Sequence, residues 1–341
     1  MDLVPVIDLN AADAAARIDA ACRDVGFMAV SGHRVPGSVI ADMLKATSEF
    51  FTLPLEEKLA WRSPSPEINR GYAAKGTEGL GYSLGETVPP DLFEAFNIGA
   101  EDIPRDDPVY QAEGHRLFAP NIWPEYPAAV ELRPALTAYF SAVRRLAHRL
   151  TGLFATALGL EPTFFESRTD HSTDTLRVNH YHRGPGEPDP LEGQQRMGAH
   201  TDYGIVTVLY AEPVPGLQIV GPDGQWYDVM PTPGTFLVNL GDLLAEWTND
   251  HWRSTLHRVV PPPRHENGPA TRRSVAFFHD GNYDAVIECL PTCCSPENPP
   301  RYPTVRAGEH LMAKLLGPRT LSVSDATSTA GDRLRGPARL A

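Results

Sequence analysis

The chain has 341 residues, 42% of them apolar and 21% charged, which is the balance of a folded protein with a sizeable core. A formal net charge of −13 argues against nucleic acid or an anionic membrane as its main partner. No run approaches about 18 consecutive apolar residues, and MDLVPVIDLN lacks the charged-then-apolar layout of a secretory signal, so a cytoplasmic protein is expected.

Taken in chain order, residues 4–8 read as a short strand, 11–25 as a helix, 26–30 as a strand and 38–51 as a second helix closed by Leu53-Pro54. From 62 to 108 the chain is rich in Pro and Gly and reads as irregular, long for a loop and therefore a candidate binding segment. Residues 132–160 form the longest helical stretch, with apolar positions recurring at three and four, and are expected to pack on the core. Arg144, Arg145 and Arg149 on that helix read as a solvated face.

After Thr175 the texture changes to short strands with turn punctuation. The expected strands are 175–182, a hairpin of 217–220 and 225–229 across Pro222-Asp223-Gly224, then 234–239, 254–260 and 272–278. This predicts a sandwich or jelly roll. A last helix beyond Pro303 is expected to stop at Leu316, because Gly317-Pro318 follows, and the remainder to Ala341 reads as a disordered tail. Cys22, Cys289, Cys293 and Cys294 form no extracellular framework. The vicinal pair could bind a soft metal or respond to oxidants, but no second pair lies nearby, so these read as ordinary thiols of a reducing compartment.

The chemistry concentrates in three strand-like runs. His200-Thr201-Asp202 precedes an apolar run, His257 lies among β-branched residues downstream, and Arg272-Arg273-Ser274 opens the third. Two imidazoles and one carboxylate make the facial triad of non-haem Fe(II) oxygenases. With 12 His and 43 acidic residues, about one H-x-D is expected by chance, so the pair gains meaning only from its strand context. An Arg and a Ser two apart on a strand point the same way and can hold a carboxylate. A zinc hydrolase could also use two His and an acid, but the Arg-x-Ser pair has no task there and no H-E-x-x-H spacing supplies a base. A catalytically silent metal-binding sensor is a further alternative.

PVIDL, ACRDVGFMAVSGHRVP, EFFTLPLEEK, DLFEAFNIG, LRVNHYH, GAHTDYGIVTVLY, GLQIV, VNLGDLLAEWTN, STLHRVV and RRSVAFFHDGNYDAVIECLP follow one another in this chain. Together they resemble the isopenicillin N synthase-like branch of the Fe(II)/2-oxoglutarate-dependent dioxygenases, over most of the length. The resemblance implies a mainly β fold with flanking helices around a double-stranded β-helix core (jelly roll, cupin-like). It divides the chain into an N-terminal region 1–120, packing helices 121–174, a catalytic core 175–290, a C-terminal helix region 291–317 and the tail 318–341.

It also implies an oxidoreductase that uses Fe(II), 2-oxoglutarate as cosubstrate and O2. His200, Asp202 and His257 would ligate iron, Arg272 and Ser274 would bind the distal carboxylate of 2-oxoglutarate, and Asn179 and Tyr181 would contact the cosubstrate. Two departures stand out. Arg273 replaces a usual aromatic and should point away from Arg272, and His180 and His182 flank Tyr181. Those two, with His251 and His279, read as satisfied or exposed histidines, since a fourth ligand would close a site that must stay open.

The expected substrate wall comprises Tyr72, Tyr82, Phe93, Phe96, Phe278 and Asn282. The substrate is a small molecule, and an amino acid, peptide, phenolic or terpenoid acid all remain open. So do hydroxylation, desaturation and cyclisation, a same-family oxidase that uses no 2-oxoglutarate, and an ethylene-forming relative. Oligomeric state is not legible.

Overall fold

Residues 3–125, 129–184, 187–262 and 271–323 are described in the computed structural model. The N-terminal part supplies β1 (Val6–Asp8), α1 (Ala14–Asp24), β2 (Phe27–Ser31), α2 (Gly37–Phe51), α3 (Leu55–Leu59), β3 (Gly71–Ala73) and β4 (Glu94–Gly99). Then come α4 (Pro108–Ala112), α5 (Leu132–Ala157), β5 (Thr175–His182), β6 (Met197–His200), β7 (Val206–Ala211), β8 (Leu217–Val220), β9 (Trp226–Asp228) and β10 (Phe236–Leu240). The chain closes with α6 (Asp242–Trp247), β11 (His257–Val259), β12 (Thr271–His279), β13 (Val286–Ile287), β14 (Val305–Arg306) and α7 (Ala307–Thr320).

An eight-stranded sheet runs β1-β2-β10-β7-β12-β5-β4-β3, and a four-stranded sheet runs β6-β11-β8-β9. Every pairing in them is antiparallel except β1 with β2. Period-2 alternation sorts the large sheet's residues between its two faces. Met28, Val30, Leu176, Val178, Val206, Val208, Val275 and Phe277 join one apolar core with α1, α2 and α5. Phe27, Ala29, Tyr181 and Leu237 face the other way and pack with Met197, Leu217, Ile219 and Val259 of the small sheet. This two-sheet jelly roll with helices on one outer face is the expected fold class.

Several local expectations change. The stretch expected to be irregular contains β4, buried along its whole length between β3 and β5, because its alternating side chains serve both faces of the sheet. Arg144 and Arg149 are not a solvated face. Arg144 pairs with buried Asp174 at 3.2 Å, and Arg149 donates to the carbonyls of Leu9 (2.6 Å) and Gly32 (2.7 Å), tying α5 to the N-terminal strands.

Of the expected strand 254–260, only His257–Val259 pairs; Thr255 instead donates its hydroxyl to Val25 O at 2.5 Å. The last helix does not stop at Leu316 but continues through Gly317-Pro318 to Thr320. Tertiary contacts outweigh the local stop signal: Pro318 O accepts from Gly79 N at 3.0 Å, and Arg319 donates to Pro66 O at 3.0 Å. Residues of the expected tail from 324 onward lie outside the described residues. Among the described residues no helix is long and apolar enough to cross a membrane.

Candidate metal centre and cosubstrate pocket

β6 and β11 bring the two histidines together. His200 and His257 are paired across the antiparallel ladder, and a register irregularity follows directly between His257 and Val259. Asp202 sits just past the end of β6, and its Oδ1 lies 3.8 Å from Nε2 of each histidine. The ligand atoms of all three residues fall within 4.8 Å of one another, a set that a single ion with bonds of about 2 Å can span.

The surroundings decide which atoms are free. His200 Nδ1 donates to Gly198 O at 2.8 Å and His257 Nδ1 to Thr255 O at 3.0 Å, since a carbonyl can only accept. Both rings therefore carry the proton on Nδ1 and leave Nε2 as a lone pair for a metal. Asp202 Oδ2 accepts from Thr207 Oγ1 at 2.5 Å and Asn239 Nδ2 at 2.6 Å, which leaves Oδ1 turned to the histidines. Burial, with His257 beside it, holds the His200 imidazole well below the usual histidine range, so it stays the neutral ligand that a metal needs.

The large sheet supplies the other wall of the same cavity. Arg272 pairs in register with Tyr181 and Ser274 with Asn179, so R-x-S and N-x-Y meet residue for residue on the inner face. Arg272 is 1% exposed and lies over the Tyr181 ring, 5.1 Å from its centroid. Its Nε makes a long 3.4 Å contact to Val214 O, and its Nη1 is buried with no acceptor. Ser274 Oγ lies 3.5 Å from the Tyr181 hydroxyl. Arg273 faces outward as expected, pairing with Glu212 at 2.8 Å and donating to Leu44 O of α2 at 2.6 Å.

The matches to known proteins agree with this geometry. Residues 4–126 match the model described as the non-haem dioxygenase in morphine synthesis N-terminal domain, and residues 172–281 match the 2OG-Fe(II) oxygenase superfamily. The chain is 38% identical over 286 residues to the 2-oxoglutarate-Fe(II) type oxidoreductase hxnY of Emericella nidulans, covering 83% of this chain and 78% of that protein.

The chain belongs to the 2OG-Fe(II) oxygenase superfamily.

It is also 36% identical to validamycin A dioxygenase of Streptomyces hygroscopicus subsp. limoneus, over 91% of this chain and 85% of that one. Among solved structures, a full-length Neurospora crassa protein in complex with alpha-KG and thymine superposes with a TM-score of 0.79 at 30% identity, covering 92% of this chain and 96% of that one. This oxygenase is thus an Fe(II)- and 2-oxoglutarate-dependent enzyme of the isopenicillin N synthase-like kind, with O2 as its oxidant.

Of the expected substrate wall, Phe278 borders the cavity and the other five residues do not. Tyr72 and Phe96 are register partners facing the helices, where both pack on Phe50. Tyr82 is buried in the short 3-10 turn Leu80–Leu84. Phe93 lies behind the wall, its ring 4.9 Å from the Arg177 guanidinium and 6.1 Å from Tyr181. Asn282 pins a turn, donating to Asp170 Oδ1 at 2.7 Å and accepting from His171 N at 2.9 Å.

His180 stacks on Phe51 and meets Glu94 at 2.8 Å, and His279 meets Asp174 at 2.8 Å, so neither competes for metal. The cavity instead draws on Arg177, Glu78, Tyr203 and Asp280, with Leu311, Leu315 and Arg319 of α7. Period-2 spacing from Asn179 and Ser274 would have found Arg177 and Asp280. Nothing local marks the α7 residues.

Proposed function

We propose that His200, Asp202 and His257 hold one Fe(II), that Arg272 and Ser274 take the distal carboxylate of 2-oxoglutarate, and that Asn179 and Tyr181 flank that cosubstrate. The product is a small organic molecule oxidised at a C–H bond, with hydroxylation the simplest outcome and succinate and CO2 formed alongside. The observation that carries this reading is the Arg272 Nη1 group, buried without an acceptor in the cavity that the triad lines. A buried guanidinium in that state calls for a carboxylate.

Bound at the triad, Fe(II) supplies the redox chemistry that lets O2 cleave 2-oxoglutarate and oxidise the substrate. The protein's own part is placement. Thr207 and Asn239 fix the carboxylate of Asp202, and two backbone carbonyls fix the histidine tautomers. Arg177 donates to Asn179 Oδ1 at 2.9 Å and leaves the Asn179 amide N–H groups for the cosubstrate. Met197, Leu209, Leu217 and Val259 line the cavity with apolar surface, which disfavours water beside the reacting groups.

The relatives' names speak of unlike compounds, validamycin A for one and thymine for another, so none of these substrates is transferred to this chain. Four free cysteines suit a reducing cytoplasm. The test is anaerobic spectroscopy of the Fe(II) protein with 2-oxoglutarate, expecting the weak visible charge-transfer band of a chelated keto acid, followed by succinate release across a compound library. A protein that binds Fe(II) yet shows neither band nor succinate would leave the reading without support.

A further inference from the structure

Besides Asp202, the cavity is bordered by exposed Glu67, by Glu78, which pairs with Arg177 at 2.7 Å, and by Asp280, which neither the metal nor the cosubstrate uses. Asp280 continues the inward-facing series Arg272, Ser274, Ala276 and Phe278, and all five border the cavity. It is 7% exposed, and its side chain makes no hydrogen bond or ion pair among the described residues. Asp280 lies outside the triad's cluster of ligand atoms.

Its neighbours show how this protein treats buried carboxylates that have no further task. Asp174 is met by Ser172, by His279 at 2.8 Å and by Arg144 at 3.2 Å. Asp202 has Thr207 and Asn239. Asp280 has no such donor, and burial beside the carboxylates of Asp174 and Asp202 disfavours its ionised form, which a cation seated against it would restore.

The chain makes room for it all the same. Its Oδ1 lies 2.0 Å from where a side chain at residue 204 would begin, so only the glycine there allows the approach.

The cations that border the cavity are engaged elsewhere. Arg177 pairs with Glu78 at 2.7 Å, Arg116 with Glu113 at 2.5 Å, Arg70 donates to the carbonyls of Leu117 (2.7 Å) and Ala119 (3.2 Å), and Arg319 donates to that of Pro66 (3.0 Å). With iron and cosubstrate placed as assigned above, on which this step rests, the metal's two charges and that of Arg272 balance Asp202 and the two carboxylates of 2-oxoglutarate. Asp280 takes no part in that set of charges.

We propose that Asp280 is the specificity residue of the substrate site and receives a basic nitrogen of the substrate, an amine or guanidine. The substrate class is then a small organic cation, or a molecule with one cationic end, seated against Phe278 and Thr175.

The test uses the full chain loaded with Mn(II) and 2-oxoglutarate, which fills both sites without turnover. A panel of matched pairs is titrated by calorimetry, each primary amine or guanidine beside its neutral amide, urea or alcohol counterpart. The tightest binders should carry the basic nitrogen and outbind their neutral partners ~10-fold or more, as a charge-assisted hydrogen bond provides.

In Asp280→Asn that preference should vanish, while the ligand-free variant melts at or above the temperature of the parent, because an amide of the same shape replaces a buried carboxyl that has no partner. A purely structural role for Asp280 would not move the selectivity. Neutral compounds binding best, no basic compound binding, or an undiminished preference in Asp280→Asn would each overturn the proposal. Should the variant not fold, the parent's selectivity alone decides. Thermal stabilisation of the Mn(II) protein by 2-oxoglutarate reads the cosubstrate site separately. If it persists while the panel fails, only the Asp280 assignment falls; if it is absent, the proposed function falls first.

Discussion

His200 and His257 are cross-strand partners whose ring centroids lie 4.2 Å apart, so one antiparallel pairing of β6 with β11 sets the spacing of both imidazoles. The Phe27 ring meets His257 edge-on at 5.5 Å and limits its rotation. The metal site is thus a property of the small sheet, and Asp202 is added by the turn that leaves it.

His200→Ala or Asp202→Ala should abolish both tight Fe(II) binding and succinate formation. The residues that hold Asp202 make a finer prediction. Thr207→Val or Asn239→Ala removes one donor to Oδ2 and should weaken metal affinity ~10- to 100-fold while the protein remains folded. Metal titration followed by tryptophan fluorescence or calorimetry measures this. Unchanged affinity in both variants would show that the carboxylate is positioned by something else.

Arg272→Ala should raise the dissociation constant for 2-oxoglutarate at least ~30-fold, the loss expected on truncating one partner of a buried charge pair. Arg272→Lys should recover only part of it, because an ammonium cannot present the planar fork that matches a carboxylate. The free protein should lose less stability than the complex, since Nη1 has no partner to forfeit. Cosubstrate titration of the Mn(II) forms, compared with urea unfolding of the metal-free forms, separates the two effects.

Much of this site is legible in the sequence because strands obey a two-residue period. N-x-Y and R-x-S each put two polar groups on one face, and the same alternation sends the intervening Arg273 to the opposite face without knowledge of its partner. The faces of Tyr72 and Phe96 are not legible, because their direction depends on the register of β3 with β4 and no turn signal fixes it. The end of α7 escapes for another reason. Gly317-Pro318 is a sound local stop, and what overrides it is Gly79, more than two hundred residues earlier in the chain. Asp280 lies inside a block that carries the resemblance but receives no role from it: the same alternation that marks Ser274 reaches it three positions later on that face.

α7 is fastened to the site by a buried ion pair between Lys314 and Asp242, and Asp242 also accepts from Thr201 Oγ1 at 3.0 Å, next to Asp202. Lys314→Ala removes the cation facing a fully buried carboxylate and should cost ~3–5 kcal/mol. Lys314→Met, which keeps the packing, should remain well below the parent in stability. The pair Lys314→Met with Asp242→Leu should recover part of the loss. Urea denaturation of the three variants tests this, and a loss under ~1 kcal/mol in Lys314→Ala would show the pair to be dispensable.

Acid sensitivity should trace to Glu94. Its carboxylate meets Lys58 Nζ at 2.7 Å, His180 Nδ1 at 2.8 Å and the Tyr72 hydroxyl at 2.5 Å. Burial alone would raise its pKa, but the hydrogen bonds from His180, Lys58 and Tyr72 bring it down to about 2 from an ordinary 4.5. The folded value lies below the unfolded one, so the stability it contributes is fully present above the unfolded value and is lost as pH falls toward the folded one. That contribution is up to ~3 kcal/mol, drained between about pH 5 and pH 2. Glu94→Gln should be less stable at pH 7 by a similar amount and should lose less of its remaining stability on acidification. Chemical denaturation of both proteins at pH 7, 5 and 3 gives the comparison. Parallel losses in the two would mean that other carboxylates govern the acid transition and that the Lys58, His180 and Tyr72 contacts add little to the fold.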